Sequence, residues 1–267
     1  MDSESLKTYL AACQDIARAA GAEIQKVAAE DAEATEKADG SPLTRADLAS
    51  HETISRGLEA LQSGLPVLSE EGDLEQVGGA GWESFWCVDP LDGTKEFVKG
   101  LDEYTVNIAL VRDAVPALGV VYVPAQDVMY AGIAGEGASR AVGDAAAEAI
   151  SANAVARPRS AVVSRSHLSD ETRQFLAALG VGDVVSHGSS IKICAVAAGE
   201  ADIYPRHGPT CLWDTAAGAA VARAAGARVV DLAGQPLSYN PDDGIKRPGF
   251  IVYPEAMDEA VQAAIFK

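Results

Sequence analysis

The stretch Trp86-Cys-Val-Asp-Pro-Leu-Asp-Gly-Thr-Lys-Glu-Phe97 places two carboxylates three residues apart around a proline, directly after a β-like run at residues 85–88. Pro90 has a fixed φ angle and no N–H group for a ladder, so we expect the strand to end there and the chain to turn. Asp89 and Asp92 then converge on one point, and the Leu91 carbonyl joins them. Oxygens crowded in this way favour a hard cation such as Mg²⁺, although a solvated turn has the same composition.

Gly93 and Thr94 are placed to open a short helix whose free N–H groups form an anion site beside that cation. Two more acids lie in comparable positions. Glu70 follows a predicted strand at residues 67–69, and Asp214 stands where a helix begins. Taken singly, Glu70 is equally well a surface charge and Asp214 a plain helix cap. Together with Asp89 and Asp92, they are the parts of a multi-carboxylate metal site.

Outside this segment, apolar periodicity predicts helices over residues 6–27 and 46–61. Short β-rich runs predict strands at 67–69, 85–88, 105–112, 117–123 and 128–132. Their short connections predict an antiparallel sheet. The second half alternates strands (161–164, 184–186, 202–204, 228–231, 249–252) with helices (169–179, 191–198, 215–225 and from 256). We therefore expect an α/β fold, an α+β layered sandwich. We divide it near residues 144–157 into an N-terminal half, 1–145, and a C-terminal α/β half, 146–267, which pack tightly.

Composition narrows the function classes. The chain of 267 residues has 39 acidic and 21 basic side chains, a net charge of −18, and its Lys and Arg residues are scattered, which excludes general nucleic-acid binding. No run is long and apolar enough to span a membrane, and the N-terminus is acidic, so we expect a cytoplasmic protein without membrane insertion. The four cysteines stand far apart, which favours reduced thiols over disulfides or a zinc site.

At this point three segments, in order and at suitable separation, resemble the signatures of the inositol monophosphatase superfamily of Mg²⁺-dependent, lithium-sensitive phosphatases: Glu70-Glu71, Asp89-Pro-Leu-Asp-Gly-Thr94 and Trp213-Asp-Thr-Ala-Ala-Gly218. Further segments are similar to its 3′(2′),5′-bisphosphate nucleotidase branch: Lys95-Glu96, Gly188-Ser-Ser-Ile-Lys192 and Tyr204-Pro-Arg-His-Gly-Pro-Thr210. The resemblance implies an inositol monophosphatase-like fold, with an N-terminal helix pair and antiparallel sheet that carry most metal ligands.

The resemblance also implies residue roles. Two or three Mg²⁺ ions would be bound by Glu70, Asp89, Asp92, Asp214 and the Leu91 carbonyl. Thr94 and Asp47 would be the pair that orients and deprotonates the attacking water, with Glu70 sharing that catalytic role. Asp47 stands in the first turn of the second predicted helix, where a surface acid is also favoured by the helix dipole.

A bisphosphate nucleotide needs a site for its second phosphate and its base. The candidate substrate-binding residues are Gly93, Thr94, Arg165, His167, Ser189, Ser190, Lys192, Tyr204, Arg206 and Asp214. Lys192 would supply a point charge beside the two serines, and Arg206 or Arg165 would donate paired hydrogen bonds to phosphate oxygens. For Arg165, His167, Tyr204 and Arg206 an interdomain or surface role is the alternative.

The leading hypothesis is hydrolysis of the 3′-phosphate of adenosine 3′,5′-bisphosphate, or of its 5′-sulfated form, to AMP or its analogue and phosphate. An inositol monophosphatase or a fructose-1,6-bisphosphatase with the same metal site is the rival within the class. A non-catalytic acidic metal-binding protein is the rival outside it, and the intact set of acids argues against that. The expected partner is a small nucleotide bisphosphate, and the chain is expected to be a monomer or a homodimer.

Overall fold

A computed structural model of the protein describes residues 1–30, 34–36, 42–74, 81–165 and 168–266, with the backbone alone at 34–36 and 42. The α-helices are α1 (Ser3–Ala29), α2 (Arg45–Ala60), α3 (Thr94–Val98), α4 (Asp170–Leu179), α5 (Ile191–Ala197), α6 (Leu212–Ala224) and α7 (Asp258–Ile265). Short 3₁₀ turns occupy Pro241–Asp243 and Glu255–Met257. Within these described ranges, no helix is long and apolar enough to cross a membrane.

The strands of the first half form one seven-stranded sheet in chain order. They are β3 (Val67–Ser69), β4 (Ser84–Asp92), β5 (Thr105–Arg112), β6 (Val115–Val123), β7 (Val128–Ile133), β8 (Gly137–Val142) and β9 (Glu148–Ile150). From β4 onward the neighbours are antiparallel, as the short connections predict, and only β3 pairs in parallel with β4. A separate small hairpin joins β1 (Ala34–Glu36) to β2 (Pro42–Thr44).

The second half carries smaller sheets. Strands β10 (Ser160–Ser164) and β11 (Asp183–His187) are parallel with α4 between them, which is the expected βαβ arrangement. The other strands are β12 (Tyr204–Arg206), β13 (Thr210–Cys211), β14 (Ala227–Val230), β15 (Lys246–Arg247) and β16 (Phe250–Pro254), with β16 between β12 and β14.

Successive side chains along the strands of the large sheet point to opposite faces, and both faces are buried. Trp86 and Val88 of β4 pack with Ile54 of α2 on one face, whereas Phe85 and Cys87 pack on the other face with the helices α5 and α6. A third apolar cluster lies beyond, where β10, β14 and β16 meet α4 and α7. The chain is therefore layered as helices, sheet, helices, sheets and helices, which confirms the expected layered α/β class.

Two features of the large sheet differ from the sequence prediction. The strand does not end at Pro90: β4 continues to Asp92, and the ladder steps from Asp89 opposite Asn107 to Asp92 opposite Thr105. This register shift accommodates the missing N–H of Pro90 as a bulge rather than a strand end. The strands β8 and β9 were not expected, and β9 extends the large sheet past residue 145. The division of the chain into halves 1–145 and 146–267 stays a prediction.

The helix α6 lies very close to the large sheet because its sequence, LWDTAAGAAVARA, is dominated by small residues. The closest approach is at Gly119 of β6, where a Cβ atom would stand 2.2 Å from the Ala217 carbonyl oxygen. This packing fixes the first turn of α6, and Asp214 within it, against the sheet. The central sheet thus sets where the last predicted metal ligand lies.

We expect Gly119→Ala to lower the melting temperature by several degrees, because the clash is with a backbone atom and cannot be relieved by a side-chain rotation. Overpacking of this kind costs about 1–3 kcal/mol, which corresponds to roughly 2–4 °C per kcal/mol in a protein of this size. The matched control is Gly182→Ala, where no atom lies within 4 Å of the added Cβ. Equal melting temperatures for the two variants would contradict the close packing of α6.

Candidate active site

A cavity of about 260 Å³ opens where the end of β4, the helix α3 and the first turns of α5 and α6 come together. Its acidic wall comes from the first half and from α6, and its basic wall comes from α5 and β12. The predicted residues that line it are Glu70, Asp89, Leu91, Asp92, Gly93, Thr94, Ser189, Ser190, Lys192, Tyr204, Arg206 and Asp214. The fold therefore brings most of the predicted site into one cavity.

Asp89 is the most deeply buried acid of this wall, with 1% of its surface exposed. Its Oδ1 accepts a hydrogen bond from the Leu91 N–H at 3.1 Å. Burial, together with the charges of Glu70, Asp92 and Asp214, holds the pKa of Asp89 well above its usual range. A carboxylate in this position is strongly destabilised unless a cation balances the crowded negative charge.

Asp92 is held by a hydroxyl from the opposite wall. Its Oδ2 accepts a hydrogen bond from Ser190 Oγ at 2.9 Å, and Asn107 Nδ2 donates to the same hydroxyl at 2.9 Å. Burial and the charge of Asp214 raise the pKa of Asp92 to about 6, against the opposing effect of Lys192. The Ser190 hydroxyl, which we predicted as a substrate ligand, therefore lies against a predicted metal ligand.

Asp214 is placed both as a helix cap and as a member of the acidic wall, the two roles that the sequence left open. Its Oδ2 accepts hydrogen bonds from the Cys211 N–H at 2.9 Å and from Thr210 Oγ1 at 2.8 Å, so it caps α6. It also lines the cavity, on the same acidic wall as Asp92. Glu70 follows β3 directly and its N–H bonds to the Val88 carbonyl at 3.2 Å, which places the residue beside Asp89.

Thr94 and Asp47 form the predicted pair. Thr94 Oγ1 lies 3.0 Å from Asp47 Oδ1 and 3.2 Å from the Leu91 carbonyl oxygen. The other carboxylate oxygen, Asp47 Oδ2, accepts from the N–H and the hydroxyl of Thr44, at 2.7 and 2.6 Å, in a capping box that starts α2. Asp47 is 1% exposed, so it is not a surface acid. The cap orients it toward Thr94.

The basic wall contains two cations close together. Lys192 is 4% exposed, its Nζ donates to the Ser189 carbonyl at 2.5 Å, and it lies 5.5 Å from the centre of the Tyr204 ring. Arg206 donates to the Pro209 carbonyl at 2.7 Å, while its buried Nε has no hydrogen-bond partner among the described residues. Burial and the charge of Arg206 lower the pKa of Lys192 to about 8, against the opposing effect of Asp92. Neither cation forms an ion pair with a carboxylate within the described chain.

Two predicted substrate ligands remain, and one of them, Arg165, is not part of the cavity lining. Arg165 is 40% exposed and its guanidinium pairs with Glu103 at 2.9 Å, so the structure gives it an internal partner beside the cavity. His167 lies outside the described residues. Sequence reasoning missed Thr210, which binds Asp214, and Lys95, which lines the cavity next to Thr94. A threonine four positions before an acid at a strand–helix boundary carries no periodic signal that would have revealed it.

The donor set fits a hard divalent cation. The acidic wall offers carboxylate and carbonyl oxygens, which such ions prefer, and its buried like charges require a counter-charge. Across residues 1–30, 34–36, 42–74, 81–165 and 168–266, no three Asp, Glu, His or Cys side chains stand close enough together to hold an ion as they are placed.

Comparisons with known proteins bear on this site. The model of the inositol monophosphatase family matches residues 5–265. The 3′(2′),5′-bisphosphate nucleotidase CysQ of Escherichia coli K12 is 47% identical over 242 residues, which cover 90% of this chain and 97% of that protein. The nucleotidase CysQ of Haemophilus influenzae is 31% identical, with 81% of each chain covered.

Solved structures agree with the sequence relatives. CysQ from Bacteroides thetaiotaomicron superimposes with a TM-score of 0.81 at 44% identity, and the match covers 93% of this chain and 97% of that one. The inositol monophosphatase from Anabaena superimposes with a TM-score of 0.76 at 24% identity, over 98% and 96% of the two chains. This second similarity concerns the fold alone.

We expect Asp89→Asn to remove the stabilisation that a divalent cation gives the protein, while leaving the metal-free protein at least as stable as the wild type. The asparagine retains an oxygen for the Leu91 N–H and removes one charge from a crowded, buried cluster. Thermal melts with a chelator and with a saturating divalent salt measure both effects. Asp183→Asn, at an exposed strand position, is the control. If the divalent salt raised the melting temperature of Asp89→Asn as much as that of the wild type, Asp89 would be excluded as a ligand.

Proposed function

The chain belongs to the inositol monophosphatase family, and on that basis we propose that it is a 3′(2′),5′-bisphosphate nucleotidase. It hydrolyses the 3′-phosphate of adenosine 3′,5′-bisphosphate to give AMP and inorganic phosphate, and it also accepts the 5′-sulfated analogue. The observation that carries the proposal is the polarity of the cavity. One wall has carboxylates grouped around the buried Asp89, and the other has the buried Lys192 and the partly buried Arg206, neither of which pairs with a carboxylate of the described residues.

The acidic wall is the proposed metal site. We propose that it holds two or three Mg²⁺ ions, with Glu70, Asp89, Asp92, Asp214 and the Leu91 carbonyl as ligands. When bound, the ions neutralise the charge of the phosphate group and lower the pKa of water in the site. Metal dependence is general in the family, and the all-oxygen donor set favours Mg²⁺ over softer metals.

Thr94 and Asp47 take the proton of the attacking water. A threonine hydroxyl carries one proton, which it donates to Asp47 Oδ1, and its lone pairs are then free to accept a hydrogen bond from water. Because Asp47 Oδ2 is occupied by Thr44, only Oδ1 serves Thr94. The capping box therefore keeps the acceptor in place, and the proton moves along a hydrogen bond that already exists in the protein.

The basic wall selects the substrate. Lys192 is buried and Arg206 is partly buried beside it, and two like charges held this close are unfavourable unless an anion binds between or beside them. A nucleotide with a second phosphate supplies that anion, whereas inositol 1-phosphate does not. The aromatic residues Tyr204 and Phe250, whose ring centres are 5.2 Å apart, also belong to the cavity lining and give it an apolar part beside the cations.

The function is tested by phosphate release with Mg²⁺ from four esters in parallel: adenosine 3′,5′-bisphosphate, adenosine 3′-monophosphate, inositol 1-phosphate and fructose 1,6-bisphosphate. We expect the highest kcat/KM for the adenosine bisphosphate, by about tenfold or more over the 3′-monophosphate, because one charge-assisted contact contributes about 1.5–3 kcal/mol. Lys192→Met, which keeps the side-chain volume, should reduce this ratio toward one.

Lys99→Met, at an exposed position of the helix-end turn after α3, is the control for loss of a positive charge. Two outcomes count against the proposal. A wild-type preference for inositol 1-phosphate or fructose 1,6-bisphosphate would make the chain a different member of the family. Equal losses on both adenosine substrates in Lys192→Met would place Lys192 in the shared catalytic centre instead of the substrate-selecting wall.

A further inference from the structure

Glu103 is a partly buried acid that neither the metal site nor the catalytic pair uses. It lies between α3 and β5, and its side chain is 15% exposed. Three donors from the second half of the chain converge on its carboxylate. Arg165 Nη2 and His187 Nδ1 bind Oε1 at 2.9 and 3.1 Å, and the Gly188 N–H binds Oε2 at 2.8 Å. Its carboxylate thus ties the two halves together.

The three donors share a position in the fold. Arg165 directly follows β10, and His187 is the last residue of the parallel strand β11. Because Ser164 is opposite His187, both residues lie at the same edge of that sheet. Gly188 begins the turn that leads into α5. Burial alone would raise the pKa of Glu103, but the hydrogen bonds from His187 and Gly188 and the charge of Arg165 outweigh it and lower that pKa. The carboxylate is therefore charged and fully engaged at neutral pH.

The backbone of Glu103 packs against both walls of the cavity. Its carbonyl oxygen lies 3.0 Å from where a Cβ atom on Gly93 would be, and 2.7 Å from a Cβ on Gly188. Only glycine fits this closely at Gly188, because the obstacle is a backbone atom. Glu103 therefore separates the turn that carries Asp92 and Thr94 from the turn that precedes α5, and it sets the distance between them.

The turn that Glu103 holds carries the substrate-facing groups of the basic wall. Ser189 has φ +44°, which is unfavourable for a residue with a side chain, and its buried Oγ has no hydrogen-bond partner within the part of the chain described. The Ser189 carbonyl in turn accepts the hydrogen bond from Lys192 Nζ. Fixing Gly188 therefore fixes where the Ser189 hydroxyl and the Lys192 ammonium stand.

We propose that Glu103 is a positioning residue for substrate recognition. It holds the 188–190 turn, and through that turn Lys192, at a fixed distance from the carboxylate wall, and it keeps Arg165 beside the cavity. The inference rests on the proposed function only for the identity of the preferred substrate. A residue of this kind governs binding of the part of the substrate that does not react. The metal site and the Thr94–Asp47 pair stay unchanged, because Ser190, the turn residue that contacts Asp92, is held independently by Asn107 Nδ2 at 2.9 Å and by the Asp214 carbonyl at 2.7 Å.

The test compares Glu103→Ala and Glu103→Gln with the wild type on two esters, adenosine 3′,5′-bisphosphate and p-nitrophenyl phosphate, which lacks the second phosphate and the nucleoside. We expect kcat/KM for the bisphosphate to fall about tenfold to a hundredfold in Glu103→Ala, mainly through KM, with a smaller loss in Glu103→Gln. Activity on p-nitrophenyl phosphate and the Mg²⁺-induced rise in melting temperature should both stay at the wild-type level.

A second readout does not depend on the substrate. Hydrogen exchange at the amides of residues 188–190 should become faster in both variants, because the Gly188 N–H loses a charged acceptor. Glu200→Gln is the matched control, since Glu200 pairs with Arg140 at 3.8 Å and lies outside the cavity lining. If Glu103→Ala fails to fold, the comparison rests on Glu103→Gln, which keeps the side-chain size.

Equal losses on both esters, no loss on either, or unchanged exchange at residues 188–190 would each overturn the proposal. Failure of the proposed function looks different, because it appears in the wild type as a preference for another ester. In that event two measurements still test the role of Glu103. One is hydrogen exchange at residues 188–190, and the other is the ratio of kcat/KM for the ester that the wild type prefers to kcat/KM for p-nitrophenyl phosphate.

Discussion

The burial of Asp89 among other acids is the constraint on which the rest of the site depends. Its carboxylate is enclosed at the end of β4, and the described residues place no cationic side chain within ion-pair distance of it. Like charges in a medium of low dielectric repel strongly, so this arrangement is costly in the isolated protein and is relieved by a bound cation. A fold that retains such a cluster has a cation as part of its working state.

The surrounding structure directs these oxygens toward one cavity. The bulge at Pro90 turns Asp89 and Asp92 onto the same cavity, the capping box of α2 aims Asp47 at Thr94, and close packing of α6 brings in Asp214. The opposite wall, with Lys192 and Arg206, has the reverse charge. With cations bound at the acidic wall, both walls attract phosphate, so a ligand that carries a phosphate at each end fits the cavity, as a bisphosphate nucleotide does.

Much of this arrangement could be predicted from the sequence, because it rests on local patterns. The Asp-Pro-Leu-Asp-Gly-Thr segment, the Thr44–Asp47 cap and the periodicity of α1 and α2 are each visible in short windows. Other features depend on contacts between distant residues and carry no local signal. The engagement of Ser190 with Asp92 and of Glu103 with Arg165 spans 98 and 62 positions, respectively. The continuation of β4 through Pro90 likewise depends on its neighbour β5, which a single strand does not reveal.

The most direct test of the account is the fate of adenosine 3′,5′-bisphosphate in ¹⁸O-labelled water, followed by ³¹P NMR. With Mg²⁺, we expect the 3′-phosphate resonance to disappear and the 5′ resonance to remain as AMP. One ¹⁸O atom should appear in inorganic phosphate, because water attacks phosphorus. With a chelator, no reaction should occur. Loss of the 5′ resonance, label in the nucleoside, or hydrolysis that persists in the chelator would contradict the account.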